Sequence, residues 1–61
     1  KFLRFLRENQ CVPTGRQKGS HAQFQNQVNG NKTVVPLHTD IAEPTARAIC
    51  KQLGIPPVKF N

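Results

Sequence analysis

The stretch from Ser20 to Gln27 alternates, and that alternation constrains what the rest of the chain can do. Ala22 and Phe24 fall on one face, while His21, Gln23, Gln25 and Gln27 fall on the other. A period of two is the mark of a strand with one face buried and one in water. Asn29-Gly30 follows, the residue pair favoured in two-residue hairpin turns whose central positions need positive φ. Lys32 to Leu37 then returns as a second strand, carrying β-branched Thr33, Val34 and Val35. With Asn29 and Gly30 as the whole loop, Val28 faces Asn31, Phe24 meets Val35 and Ala22 meets Leu37. The same register sets His21 opposite His38 on the open face, together with Gln23, Gln25 and Lys32. Directly paired residues bring their Cβ atoms to roughly 4.5–5.5 Å.

The chain has 61 residues, so residues 1–61 are expected to form one domain. A domain of this size buries only about 60% of its unfolded surface. A thin core leaves little room for an enclosed pocket with many catalytic groups, and any active site is expected to be open and shallow. Nine Lys and Arg residues stand against three acids, for a net charge of +6. That balance points to a polyanionic partner: RNA, DNA or an acidic protein. Cys11 and Cys50 are too few to make a disulfide scaffold. Zinc spacing of Cys and His is absent, and Cys11, Cys50, His21 and His38 could meet at a metal only through folding. No metal and no cofactor are therefore expected. There is no run of about 20 apolar residues for a membrane span and no signal-peptide pattern, so a reduced, cytoplasmic protein without membrane contact is the expectation. Lys1 stands where an initiator Met would, which predicts an N-terminus trimmed from a longer chain.

Residues 1–9 place Phe2, Leu3, Phe5 and Leu6 on one side and Arg4, Arg7 and Glu8 on the other, as an amphipathic helix does. Pro13 and Gly15 then stop helical continuity, leaving Cys11 to Arg16 extended. Residues 44–53 form a second helix, with Pro44 at its first turn and Gly54 just past its end. Ala46, Ile49, Cys50 and Leu53 repeat at helical spacing as its core stripe, and Arg47 and Lys51 ride the outer face. Pro56 and Pro57 prevent continuation, and Val58 and Phe60 are expected to pack back as a terminal turn. The order is α-β-β-β-α. Two helices with one apolar stripe each, and a sheet with one apolar face, are best satisfied when both helices cover the same side of a three-stranded antiparallel sheet. The histidine face is then left open, an α+β layout like that of the double-stranded-RNA-binding fold.

Three segments together resemble one family. Lys18-Gly19-Ser20-His21-Ala22-Gln23-Phe24, then Val34-Val35-Pro36-Leu37-His38, then the helix from Pro44 to Gly54 are similar to the HicA toxins, over nearly the whole chain to about Ile55. Gly-Ser-His alone would carry little weight. The ordered set of Gly-Ser-His-x-x-Phe, Pro-x-His and Ile-Cys-Lys-Gln-Leu-Gly is much more specific. The resemblance implies a small bacterial mRNA interferase of a type II toxin–antitoxin pair, held in check by a HicB-like antitoxin. It also implies that His21, in the Gly-Ser-His element, is the catalytic residue, and it maps the Pro-x-His element to Pro36 and His38. The family usually ends its first helix with Gly and an aromatic residue; this chain has Gln10 and Cys11. Gln10 lacks glycine's freedom at positive φ, so the helix end is expected to differ.

The chemistry expected of such a site is simple, because RNA brings its own nucleophile in the 2′-hydroxyl. A side chain must take that proton, the phosphorane charge must be steadied, and the leaving 5′-oxygen must be protonated. Histidine is the residue type that ordinarily titrates near neutral pH, so His21 is the candidate general base or acid. His38 is the candidate for the complementary proton or for orienting the phosphate, with Ser20 as a further accessory. Arg16 and Lys18 are candidates for charge stabilisation. Arg16, Lys18, Gly19, Lys32, Arg47 and Lys51 are the candidate RNA contacts. Glu8, Asp40 and Glu43 are too few and too scattered for a two-metal nuclease. Plainer roles are open for each residue. His21 could be an ordinary surface histidine, and His38 could bond the next turn. Gly19 could serve a tight turn or bulge, and Ser20 a local backbone contact. Gln23 and Gln25 could be ordinary polar strand positions. Three functions compete: an mRNA-cutting toxin, an RNA-binding module that does not cut, and a basic surface that docks an acidic protein.

Overall fold

The computed structural model describes residues 2–37 and 41–57. Helix α1 (Phe2–Glu8) leads into strands β1 (Cys11–Lys18), β2 (His21–Asn26) and β3 (Lys32–Pro36), and the chain closes with helix α2 (Glu43–Leu53). The sheet is antiparallel in the order β1-β2-β3. This is the α-β-β-β-α arrangement expected from the pattern. Val58, Phe60 and His38 lie outside the described residues.

The core is the apolar side of the sheet under two helices. Leu6, Cys11, Ala22, Phe24, Val35, Ile49 and Leu53 form one buried cluster, with Phe2, Leu3, Phe5, Leu37, Ile41 and Ile55 packed at its margin. All four residues of the expected α2 stripe are buried. Along β2 the burial alternates as the sequence does: Ala22 and Phe24 point into the core and His21 is exposed. Both β1 and β3 are edge strands, which suits Pro13 and Pro36, since neither has an N–H to give to a ladder.

The β2–β3 register differs from the expected one. His21 pairs with Pro36, Ala22 with Val35, and Phe24 with Thr33. The loop is longer than Asn29-Gly30: Asn26 N–H donates to Asn31 O at 2.8 Å, and Gly30 N–H donates to Asn26 O at 2.8 Å. Only Gly30, at φ 81°, adopts the left-handed conformation there. The cause is side-chain bonding. The Asn26 and Asn29 carboxamides accept the N–H groups of Val28 and Asn31, each at 2.8 Å, and stabilise a wider turn. The displacement is two residues, so every side chain keeps its face. The pairing of His21 with His38 is thereby replaced by His21 with Pro36.

Candidate active site

The open side of the sheet carries a shallow groove of about 570 Å³, lined by Arg16, Gln17, Lys18, His21, Gln23 and Val34. Three local features build it. The first is a tight turn between β1 and β2: Gly19 takes φ 59°, as the first central residue of a II′ hairpin turn does, and Ser20 completes it. This turn sets Lys18 directly across from His21. The second is strand parity, which sends His21 and Gln23 to the same, uncovered face.

The third is an irregularity in β1. Pro13 pairs with Phe24 and Gln17 with Ala22, so Thr14, Gly15 and Arg16 together oppose Gln23 alone. Gly15 sits in this bulge at φ 97°, a conformation L side chains rarely adopt. A bulge bends its strand and re-aims side chains, and bulges collect beside active sites. Here it swings Arg16 into the groove beside Lys18 and His21. Thr14 O–H donates to Gln23 Oε1 at 2.8 Å, and Arg16 N–H donates to Thr14 Oγ1 at 3.4 Å. At the turn, Gln17 Nε2 donates to Gly19 O at 3.1 Å.

The expected site residues fall into separate places. His21, Lys18 and Arg16 meet in the groove. Gly19 and Ser20 are the exposed turn above it, and nothing lies within 4 Å of where a Gly19 side chain would project. The Ser20 carbonyl accepts Leu37 N–H at 2.6 Å, which ties the turn to the end of β3. Lys32 pairs with Gln25, farther along the same face and outside the groove lining. Arg47 and Lys51 are on α2, in the layer that covers the other side of the sheet, and the structure does not bring them to His21. Arg47 is bonded instead to Glu43 at 2.5 Å. His38 is outside the described residues. Sequence reasoning missed Thr14, Gln17 and Val34, and it placed Gln23 on the open face without giving it a role in the site. The only signal for Thr14 was Gly15 inside an otherwise extended segment, the usual mark of a bulge.

Among the described residues there is no group of three or more His, Cys, Asp and Glu side chains placed to hold a metal ion. None of their helices is long and apolar enough to cross a membrane. Among the described residues, the groove offers the His21 imidazole, the Arg16 and Lys18 cations, the Gln17 and Gln23 carboxamides and apolar Val34. That set can bind an anion, move a proton and steady developing negative charge.

A family model described as the HicA toxin of bacterial toxin-antitoxin covers residues 1–55 of the 61-residue chain. No curated protein and no solved structure matches.

Proposed function

From the premise that the chain belongs to the HicA toxin family of bacterial toxin–antitoxin systems, we propose that it is an endoribonuclease that cleaves mRNA at the sheet groove, with His21 as its proton-transfer residue. The observation that carries this reading is the juxtaposition of exposed His21 with Lys18 and Arg16 in one open depression. An open groove suits a long polymer, and cations there suit its phosphates.

The ribose 2′-oxygen attacks the neighbouring phosphorus, and the bond to the 5′-oxygen breaks. The products are a 2′,3′-cyclic phosphate and a 5′-hydroxyl. His21 takes the 2′ proton or returns one to the leaving oxygen. Arg16 and Lys18 hold the phosphate and offset its growing charge. The scheme uses no metal. His38 is the candidate for the complementary proton. The antitoxin of the pair, HicB-like in this reading, inhibits by covering His21. Translation arrest in the cytoplasm follows from loss of mRNA.

The test is incubation of the purified protein with labelled RNA in excess chelator, beside His21→Ala. Cleavage by the wild type and none by a folded His21→Ala supports the reading. Equal cleavage by both rejects it. Intact RNA with strongly salt-dependent binding identifies a module that holds RNA without cutting it.

A further inference from the structure

The bulge in β1 does more than deliver Arg16. Thr14, Gly15 and Arg16 oppose Gln23 alone, and their hydrogen bonds fix the direction of its carboxamide. A threonine hydroxyl has one hydrogen to give and lone pairs to receive. Thr14 Oγ1 receives the Arg16 N–H at 3.4 Å and gives its own hydrogen to Gln23 Oε1 at 2.8 Å. The acceptor end of Gln23 is thus tied to the bulge. Its amino end, with two N–H donors, is the end this tie does not use, and Gln23 lines the groove with His21, Lys18 and Arg16.

We propose that Gln23 is a second catalytic residue, whose Nε2–H donates to a non-bridging oxygen of the scissile phosphate, and that Thr14 is the positioning residue that aims it. The proposal rests on the reading of the groove as an RNA-cleaving site. His21 and Gln23 are two apart on one face of β2, roughly 6.6 Å along the strand. A phosphate seated between them meets the imidazole on one side and the amide on the other. As the 2′-oxygen adds to phosphorus, the singly charged diester becomes a doubly charged phosphorane, and the charge grows on the non-bridging oxygens. Arg16 and Lys18 attract the phosphate before and during this change. A neutral amide gains most as the charge rises, so it acts on the transition state more than on substrate binding. Its dipole is already aimed, and no reorganisation is needed at the moment of reaction.

The experiment is steady-state cleavage of an RNA oligonucleotide by wild type, His21→Ala, Gln23→Ala, Thr14→Val and Thr14→Ser, with a thermal melt of each. Gln23→Ala is expected to lose about 100-fold in kcat, as loss of an oxyanion donor does, with KM little changed. Its pH–rate profile keeps the wild-type shape, because an amide does not titrate. Thr14→Val keeps the volume and loses the hydroxyl, and kcat is expected to fall; Thr14→Ser restores the hydroxyl and the rate. If Gln23→Ala does not fold, the Thr14 pair decides. Wild-type kcat in folded Gln23→Ala overturns the proposal, and so do equal rates for Thr14→Val and Thr14→Ser. Cleavage by wild type but not His21→Ala, with Gln23→Ala at full rate, removes this inference alone. Intact RNA with the wild type removes the reading of the groove and this inference with it.

Discussion

Gln10 occupies a conformation made for another residue. Its φ is 61°, the only left-handed non-glycine among the described residues. The chain needs that turn because α1 ends at Glu8 and β1 must begin, fully buried, at Cys11. Gln10 N–H donates to Arg7 O at 3.1 Å and its carbonyl accepts Gln27 N–H at 2.9 Å, so neighbours on both sides hold the reversal. A side chain there costs roughly 1–2 kcal/mol, part of which glycine would give back as chain entropy. Gln10→Gly is therefore expected to stabilise the fold by about 1 kcal/mol, seen as a rise of about 4–8 °C in Tm. An unchanged or lower Tm would show that the turn is not strained. The sequence signalled this position, because the resemblance to the HicA toxins implies glycine at the end of the first helix, where this chain has Gln10. It also placed a smaller residue next to it, and Cys11 is fully buried. Burial, and secondarily Cys50, push the Cys11 thiol above its ordinary value. A raised value in the folded state means that stability is whole below the unfolded thiol's pKa, about 8.5, and is lost as pH climbs through the folded value. Urea midpoints measured from pH 7 upward should fall more steeply for wild type than for Cys11→Ala. Parallel curves would show that the thiol is not the group responsible.

The β2–β3 loop and the end of α2 act as one latch. Gly54, at φ 72° and ψ 33°, ends α2 by sending its N–H back to the Cys50 and Lys51 carbonyls. The Leu53 carbonyl is one of the groups a helix end leaves without an internal partner. It accepts two side-chain amides, Asn26 Nδ2 at 2.8 Å and Asn29 Nδ2 at 3.1 Å. Asn26 is 3% exposed and also receives Val28 N–H at 2.8 Å. Asn26→Ala is expected to cost about 1–3 kcal/mol, since it strips buried partners, and to speed amide exchange in the last turn of α2. Asn29→Ala, less buried, should cost less; an equal cost would mean that both amides carry the latch alike. Gly54→Ala is strained at positive φ, and its Cβ would stand 2.7 Å from Asn29 Nδ2, so it should weaken the same latch. Here sequence reasoning met its limit. Asn29-Gly30 has the form of a two-residue turn, and the asparagines hold a wider one through local bonds to the Val28 and Asn31 N–H groups together with contacts 24 and 27 residues away in the chain. Periodicity fixes faces, so the placement of His21, Phe24 and the α2 stripe could be read directly. Register depends on loop length, and loop length depended in part on a helix the local pattern cannot see. The site divides the same way. Lys18 beside His21 follows from Gly19-Ser20 as a tight turn, whereas Arg16 and Thr14 arrive through a bulge that Gly15 permits and nothing nearby requires.

The basic residues are shared between two surfaces, and under the proposed RNA-cleaving function the layers of the fold decide which of them one strand can touch. Arg16 and Lys18 flank His21 on the open sheet, with Lys32 farther along the same face. Arg47 and Lys51 lie on α2, whose apolar stripe covers the opposite side of that sheet. A strand seated against His21 is separated from them by the sheet and the core. Arg47 is in addition partly neutralised by Glu43 at 2.5 Å, an exposed pair of the kind worth well under about 1 kcal/mol to the fold. Each phosphate neutralised by a cation contributes nearly one unit to the dependence of log affinity on log salt. With an RNA carrying a 2′-deoxy nucleotide at the scissile position, so that it binds without being cut, Arg16→Ala and Lys18→Ala should each weaken binding and flatten the salt slope by about one. Arg47→Ala and Lys51→Ala should leave the slope unchanged, and Lys32→Ala should change it only for strands long enough to run past Gln25. Equal losses from the α2 variants would mean that RNA wraps around the domain or sits on its helices. In that case the cations beside His21 would not be what holds the substrate, and proton transfer from the sheet face would lose its geometric basis.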